Sequence, residues 1–255
     1  VRHLLRHRAR GNARPAGGGR LIPAAASGLG LRKFELFATL PPEKLDALAR
    51  QCAWRAFDSG QRIISREAAD RDVYLLVGGR ARVTAYSVEG RQVTFTDVGA
   101  GEIFGDLAAI DDKPRSADVL ALDSGLLACM PAAVFRRLVA EEPLVAERVL
   151  RRLASLVRRL SARVFDLSTL GVQNRVHAEL LRLARQAGVA RNAARIDPAP
   201  KHADIASQVS TYREQVTREL SVLAEAGLVG KQNGALLVLD FGRLERMVQE
   251  VKSGA

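Results

Sequence analysis

In the run Pro143–Thr169 the apolar residues Val149, Leu153, Leu156, Leu160, Val164 and Leu167 recur at intervals of four, three, four, four and three. That spacing is close to the heptad of a coiled-coil seam. Proline suits the first turn of a helix, and a helix over this run, at ~1.5 Å per residue, is about 40 Å long. Its other faces carry Arg148, Arg151, Arg152, Arg158, Arg159 and Arg163, so only one stripe asks for burial. The stripe can lie on the rest of the chain or on a second copy of itself. Length and seam favour the second copy, so a homodimer is expected. The rod also divides the chain: a basic tail over residues 1–31, a β-rich unit over 32–142, the dimerisation helix over 143–170 and a helical unit over 171–255.

Folding is expected to begin near Phe34, and Pro41-Pro42 opens an amphipathic helix carrying Leu45, Leu48 and Ala49. From 54 to 130 the pattern changes to short β-type runs, with strands expected at 62–65, 73–77, 82–86, 92–97 and 126–130. Gly60, Gly78-Gly79, Gly90 and Gly99 supply the turns. Regularly spaced short strands of this kind make a compact antiparallel barrel or roll.

One stretch inside that roll differs, residues 105–117, Gly-Asp-Leu-Ala-Ala-Ile-Asp-Asp-Lys-Pro-Arg-Ser-Ala. Gly105 permits close approach of backbone to a ligand. Asp106 to Ile110 can make one helical turn whose free N–H groups favour an anion. Pro114 stiffens the chain ahead of Arg115, whose planar fork suits a phosphate, and Ser116 adds a hydroxyl. Asp106 beside Arg115 points to a ligand with both an anionic group and a hydroxyl. An ordinary turn into a helix followed by a surface arginine fits these residues as well.

Beyond the rod, Gly171 marks a hinge, a helix is expected over 172–187 and a loop over 188–200. Then Asp204 to Val209 reads as a short helix, Ser210-Thr211 as a turn and Tyr212 to Ala226 as a longer helix. Ile205, Ala206 and Val209 face Val216, Leu220 and Leu223, the pattern of a helix-turn-helix. Tyr212, Arg213, Glu214, Thr217 and Arg218 lie at the start of the second helix, where side chains reach base edges in the major groove. Arg can bond guanine O6/N7 and Glu can accept from cytosine N4. A helical hairpin with a charged surface is the plainer alternative. The strand-like runs on either side of Lys231-Gln232-Asn233-Gly234 add a hairpin with a strong turn signal, which makes a winged helix-turn-helix and sets Lys231 near a phosphate.

Charge alone does not make this a nucleic-acid binder. The net charge is +11 from 39 basic and 28 acidic residues, but eight of the basic and none of the acidic lie in residues 1–33. The rest is nearly balanced. Cys52 and Cys129 are too few for an all-cysteine metal or iron–sulfur site and read as reduced core thiols. His3 and His7, four apart, would chelate only on a helix, and a solvated tail is the simpler reading, so no metal is expected. No run approaches the ~20 apolar residues of a membrane span, and no secretory signal is evident, so a cytoplasmic protein is expected. A histidine-ligated metalloenzyme on the β-roll is excluded because 54–130 contains no histidine.

Gly105-Asp106-Leu107-Ala108 followed by Pro114-Arg115-Ser116-Ala117 resembles the phosphate-binding cassette of cyclic-nucleotide-binding domains. Together with Thr211-Tyr212-Arg213-Glu214-Gln215-Val216-Thr217-Arg218, at this separation, it resembles the cyclic-AMP receptor protein (catabolite activator)/FNR family of bacterial transcription regulators. The resemblance covers about residues 34–247. It implies an α+β fold with an N-terminal antiparallel β-roll, a long dimerisation helix and a C-terminal winged helix-turn-helix. It also implies that Arg115 and Ser116 hold a cyclic phosphate, that Asp106 receives the ribose 2′-hydroxyl within the Gly105, Leu107 and Ala108 frame, and that Leu160 and Ser161 face the base. Arg213, Glu214 and Arg218 would read a TGTGA-like half-site. The function implied is a homodimeric, cytoplasmic, non-enzymatic regulator of transcription, controlled by cAMP or else cGMP, with double-stranded DNA and RNA polymerase as partners. A regulator of the same fold with a different effector or none is the alternative. Asp106 is one methylene shorter than the family's usual Glu, and Leu160 replaces its Thr.

Overall fold

The computed structural model describes residues 27 to 253. The tail reading and the His3/His7 pair fall mostly or wholly outside them. Within the stretch read as tail, α1 (Gly28–Leu31) packs on α2 (Pro42–Gln51), and Leu31 is fully buried.

The roll follows as β1 (Ala53–Phe57), β2 (Arg62–Ile64), β3 (Val73–Gly78), β4 (Ala81–Tyr86), β5 (Gln92–Val98), β6 (Ile103–Phe104), the short helix α3 (Asp106–Asp111), β7 (Asp118–Ala121) and β8 (Gly125–Met130). Two antiparallel sheets, ordered β1-β8-β3-β6 and β2-β7-β4-β5, contribute to one core of Phe57, Ile64, Tyr74, Leu76, Val98, Phe104, Val119 and Leu127. The first sheet has a second core on its other face, where Val73, Leu75 and Met130 meet Leu31, Phe34, Phe37, Leu45 and Phe135. The strand expectations missed β1, β6 and β7. β1 lacks clean alternation, β6 has two residues, and β7 opens on a buried acid, Asp118, whose carboxylate accepts the Arg66 backbone N–H at 3.3 Å.

Cys52 and Cys129 are free and buried, and lie in different cores, on opposite faces of β1 and β8. Burial pushes both thiols up, Cys52 to about 12, so neither forms a thiolate readily.

After α4 (Ala132–Glu141) comes the rod, α5 (Pro143–Thr169). Its first turns belong to the roll: Val145 and Val149 are buried there, each contributing about 1.5–3 kcal/mol of hydrophobic transfer. This corrects the expected seam, which began at Val149. The free stripe is instead Leu150, Val157 and Val164, at 66%, 61% and 63% exposure, with Leu160 and Leu167 beside it and Leu153 half-buried.

The C-terminal unit consists of α6 (Val172–Ala187), β9 (Val189–Ala190), β10 (Ala193–Ile196), α7 (His202–Gln208), α8 (Arg213–Glu225), β11 (Val229–Gln232), β12 (Ala235–Val238) and α9 (Phe241–Ser253). The segment read as a loop over 188–200 therefore holds two strands, which extend the wing into a sheet ordered β11-β12-β10-β9. The wing turn is at Asn233 and Gly234, both at positive φ (49° and 76°), as a two-residue hairpin requires. Among the described residues no helix is long and apolar enough to cross a membrane.

Candidate effector site and nucleic-acid interface

The chain leaves β6 at Gly105, which takes φ 79°. A Cβ there would lie 2.6 Å from Arg115 Nη1 and 3.0 Å from Asp72 O, so conformation and space both require glycine. α3 then turns inward on Ala108 and Ala109, while Arg136 from α4 donates to Ala109 O at 2.9 Å. Leu107 faces outward and Ser116 is exposed.

Arg115 is only 4% exposed. Its guanidinium donates to Gly105 O and Asp72 O, each at 2.8 Å, and to the carboxylate of Asp70. Its carbon stands 5.5 Å from the centroid of the Tyr74 ring, which stacks on Phe104 at 5.3 Å with 4° between planes. The Tyr74 hydroxyl donates to Asp70 at 3.2 Å, and burial, helped by Asp70, pushes that phenol up to about 12. Arg115 Nε is buried with no hydrogen-bond partner among the described residues.

Asp106 is buried too. Its carboxylate accepts from Arg152 Nε at 3.1 Å, and Arg152 Nη2 donates to Ile103 O at 2.6 Å. Arg152 of the long helix thus reaches the cassette's acid. Asp106 and Arg115, expected to share a ligand, each have a partner from within the chain. Leu160 and Ser161 are exposed on α5, eight and nine residues beyond Arg152, or about 12 Å along the helix. Sequence reasoning missed Asp70, Asp72, Tyr74 and Arg152. Asp70-Arg71-Asp72 reads as a solvated turn, and Arg152 is lost among the arginines of its helix.

In the second unit the turn between α7 and α8 depends on Ser210, at φ 54°, and on the Thr211 N–H donating to Ala206 O at 2.9 Å. Val216, Leu220 and Leu223 close on Ile205, Ala206 and Val209. A buried pair, His177 Nε2 and Glu219 Oε1 at 2.5 Å, ties α6 to α8. These contacts leave Tyr212 as the N-cap of α8 and Arg213, Glu214, Thr217 and Arg218 exposed on one side, with Lys231 exposed on β11. Among the described residues Arg213, Arg218, Lys201 and Lys231 have no carboxylate within ion-pair distance.

Beside α8 a cavity of about 360 Å³ is lined by Lys201, His202, Ala203 and Arg213. Thr217 donates its hydroxyl to Arg213 O at 3.0 Å, so it accepts from His202 Nδ1 at 2.7 Å. That assigns the proton of the neutral ring to Nδ1. Burial lowers the imidazole's proton affinity, and Lys231 and Arg213 add to the effect. His202 and Lys201 were not among the expected contacts; a Lys-His pair opening the first helix was the available signal.

The two units meet through polar groups. Arg82 on β4 bonds Asp97 at 2.7 and 2.9 Å and, from α7, Asp204 at 2.5 Å. Thr94 and Ser207 share a buried hydrogen bond of 2.9 Å. Arg163 on α5 joins both sides, donating to the carbonyls of Thr94 and Gln208, the latter at 2.8 Å.

Comparison with known proteins agrees with this division. Residues 54–142 match the cyclic nucleotide-binding domain, and residues 174–247 match the Crp-like helix-turn-helix domain. A "CRP-like cAMP-activated global transcriptional regulator" of Mycobacterium tuberculosis is 28% identical over 218 residues, covering 85% of this chain and 97% of the relative. The "Cyclic AMP receptor protein" of Thermus thermophilus is 29% identical over 214 residues, covering 83% and 95%. The fold matches, with a TM-score of 0.69 at 20% identity, the crystal structure of a protein from Eubacterium rectale assigned to the crp/fnr family, over 86% of this chain and 99% of that one.

Proposed function

Because this chain belongs to the cyclic-AMP receptor protein/FNR family, whose members are transcription regulators and not enzymes, we propose that it is a homodimer whose affinity for DNA is set by a cyclic nucleotide, cAMP first and cGMP second. It reads a palindromic operator with TGTGA-like half-sites and acts on RNA polymerase in the cytoplasm. The observation that carries the effector reading is Arg115. It is sealed beneath Gly105, its guanidinium carbon over the Tyr74 ring, with Nε unpartnered among the described residues, and a phosphate supplies the acceptor that group lacks. The names of the relatives from Mycobacterium and Thermus support cAMP.

The residues suggest the coupling. Arg115 would exchange Asp70 for a phosphate oxygen, and Asp106 would exchange Arg152 for a ribose hydroxyl, releasing a side chain of α5. Because α5 carries the exposed stripe and leads through Gly171 into α6, its displacement changes how the two recognition helices of a dimer are set. A nucleotide that binds one arrangement better shifts the population toward it. Helix-turn-helix dimers, this family's included, place those helices about 34 Å apart, one turn of DNA.

A second reading, a regulator tuned to another effector or to none, is favoured by one observation. The Asp70–Arg115 and Asp106–Arg152 pairs balance the cassette's charges without a ligand. Calorimetric titration with cAMP and with cGMP separates the two. Saturable binding of cAMP that is lost in Arg115→Ala is the expected result; no heat and no thermal shift with either nucleotide would leave the second reading.

A further inference from the structure

The hairpin joining β4 to β5 ends beside the recognition helix. Its turn is tight: the Ser87 N–H donates to Arg91 O at 2.9 Å, the Arg91 N–H donates to Ser87 Oγ at 3.1 Å, and Gly90 takes φ 77°. Arg91 leaves this turn exposed, its guanidinium carbon 5.7 Å from the centroid of the Tyr212 ring. Tyr212 is the N-cap of α8 and is 56% exposed. The hairpin is fastened in this position. Thr94 lies three residues beyond Arg91 and holds Ser207, Arg82 on the paired strand holds Asp204, and Arg163 links the carbonyls of Thr94 and Gln208.

Among the described residues Arg91 has no carboxylate within ion-pair distance. It stands at the N-terminal end of a helix whose surroundings already carry Arg213, Lys201 and Lys231 unpaired. Burial lowers the proton affinity of His202 in their midst, and Lys231 and Arg213 add to the effect. Unpaired cations gathered round one helix end favour a polyanion. A guanidinium lying over an aromatic face keeps its N–H edge free to bond a phosphate.

We infer that Arg91, a residue of the nucleotide-sensing domain, binds a DNA phosphate beside the recognition helix, so that the nucleic-acid surface is shared by both domains. This rests on the DNA-binding reading above and extends it. The inserted helix selects sequence, and Arg91 adds an electrostatic contact that exists only while the hairpin is docked.

The test uses the full chain and a duplex that the wild-type protein selects from a random-sequence pool. Binding is followed by fluorescence anisotropy over a range of KCl concentrations, in whichever of the cAMP-free and cAMP-saturated states binds more tightly. Arg91→Ala is expected to weaken binding several-fold and to lower the slope of log K against log salt by about one. Arg91→Lys, which keeps the charge, should retain the wild-type slope. An unchanged slope in Arg91→Ala overturns the inference even if affinity falls, because loss at constant slope marks a docking contact only. If the wild type recovers no duplex at all, the DNA-binding reading itself fails and this inference falls with it.

Discussion

The carboxylate of Asp70, from the loop before β3, is bonded to the guanidinium of Arg115, from the cassette, and the two residues are 45 positions apart. The side chain of Asp70 is 39% exposed while that of Arg115 is sealed, so the acid is the partner able to leave. Asp70→Asn keeps an acceptor for the Tyr74 hydroxyl and removes the competing charge. Nucleotide affinity should then rise by about tenfold, a change of about 1.4 kcal/mol, in a calorimetric titration. Unchanged or weaker binding would mean that Asp70 orients Arg115 as part of the receptor.

The free stripe of α5 has Leu150, Val157 and Val164 seven apart, and Leu153, Leu160 and Leu167 likewise. Val157 and Val164, two of the three residues at the first position, are β-branched and the second position is all Leu, a combination that favours two parallel strands. Val157→Glu should give a monomer in sedimentation velocity. Because Val157 is exposed on the single chain, monomer stability should change by no more than about 0.5 kcal/mol. A surviving dimer would place the interface elsewhere.

Arg213 is exposed on the side of α8 proposed to face DNA and also lines the cavity beside His202. If it bonds guanine, Arg213→Ala should cost about 1–3 kcal/mol on the selected operator and relax preference at a single G·C pair. Competition binding against duplexes varied one position at a time measures this. A loss equal on every sequence would identify a phosphate contact instead.

His202 predicts a pH dependence whose sign can be worked out. In the free protein, burial, Lys231 and Arg213 hold its imidazole below the ordinary value of 6.5. With Nδ1 donating to Thr217, the proton gained on titration goes to Nε2. A phosphate nearby raises the pKa in the complex, so the complex binds more protons than the free protein. Affinity for DNA should therefore increase as pH falls from about 7 through the imidazole range. His202→Gln should flatten that increment. A wild-type profile already flat would put the phosphate out of reach of His202.

The large features were legible in the sequence because each has a local cause. Glycine turns mark β3, β4 and β5, a heptad marks α5, and Asn233-Gly234 marks the wing. β9 and β10 were hidden because their connecting turn is Arg191-Asn192, both at positive φ without a glycine to announce it. In the candidate site, the cassette residues could be named from their order, but their present partners could not. Asp70 reaches Arg115, and Arg152 reaches Asp106, only through the packing of a roll and a rod. The seam was off by one residue at its start for the same reason: the roll claims Val149, and Leu150 is left to the free face.

Arg82 divides one guanidinium between Asp97 of the roll and Asp204 of α7. The two units are therefore not interchangeable cartridges. A chimera that joined this sensor to a foreign DNA-binding module at the Gly171 hinge would preserve the covalent joint and lose the electrostatic one, unless it also brought an acid at position 204 and a hydroxyl at 207. Transplanting specificity is then a matter of grafting the exposed face of α8 while leaving α7 in place.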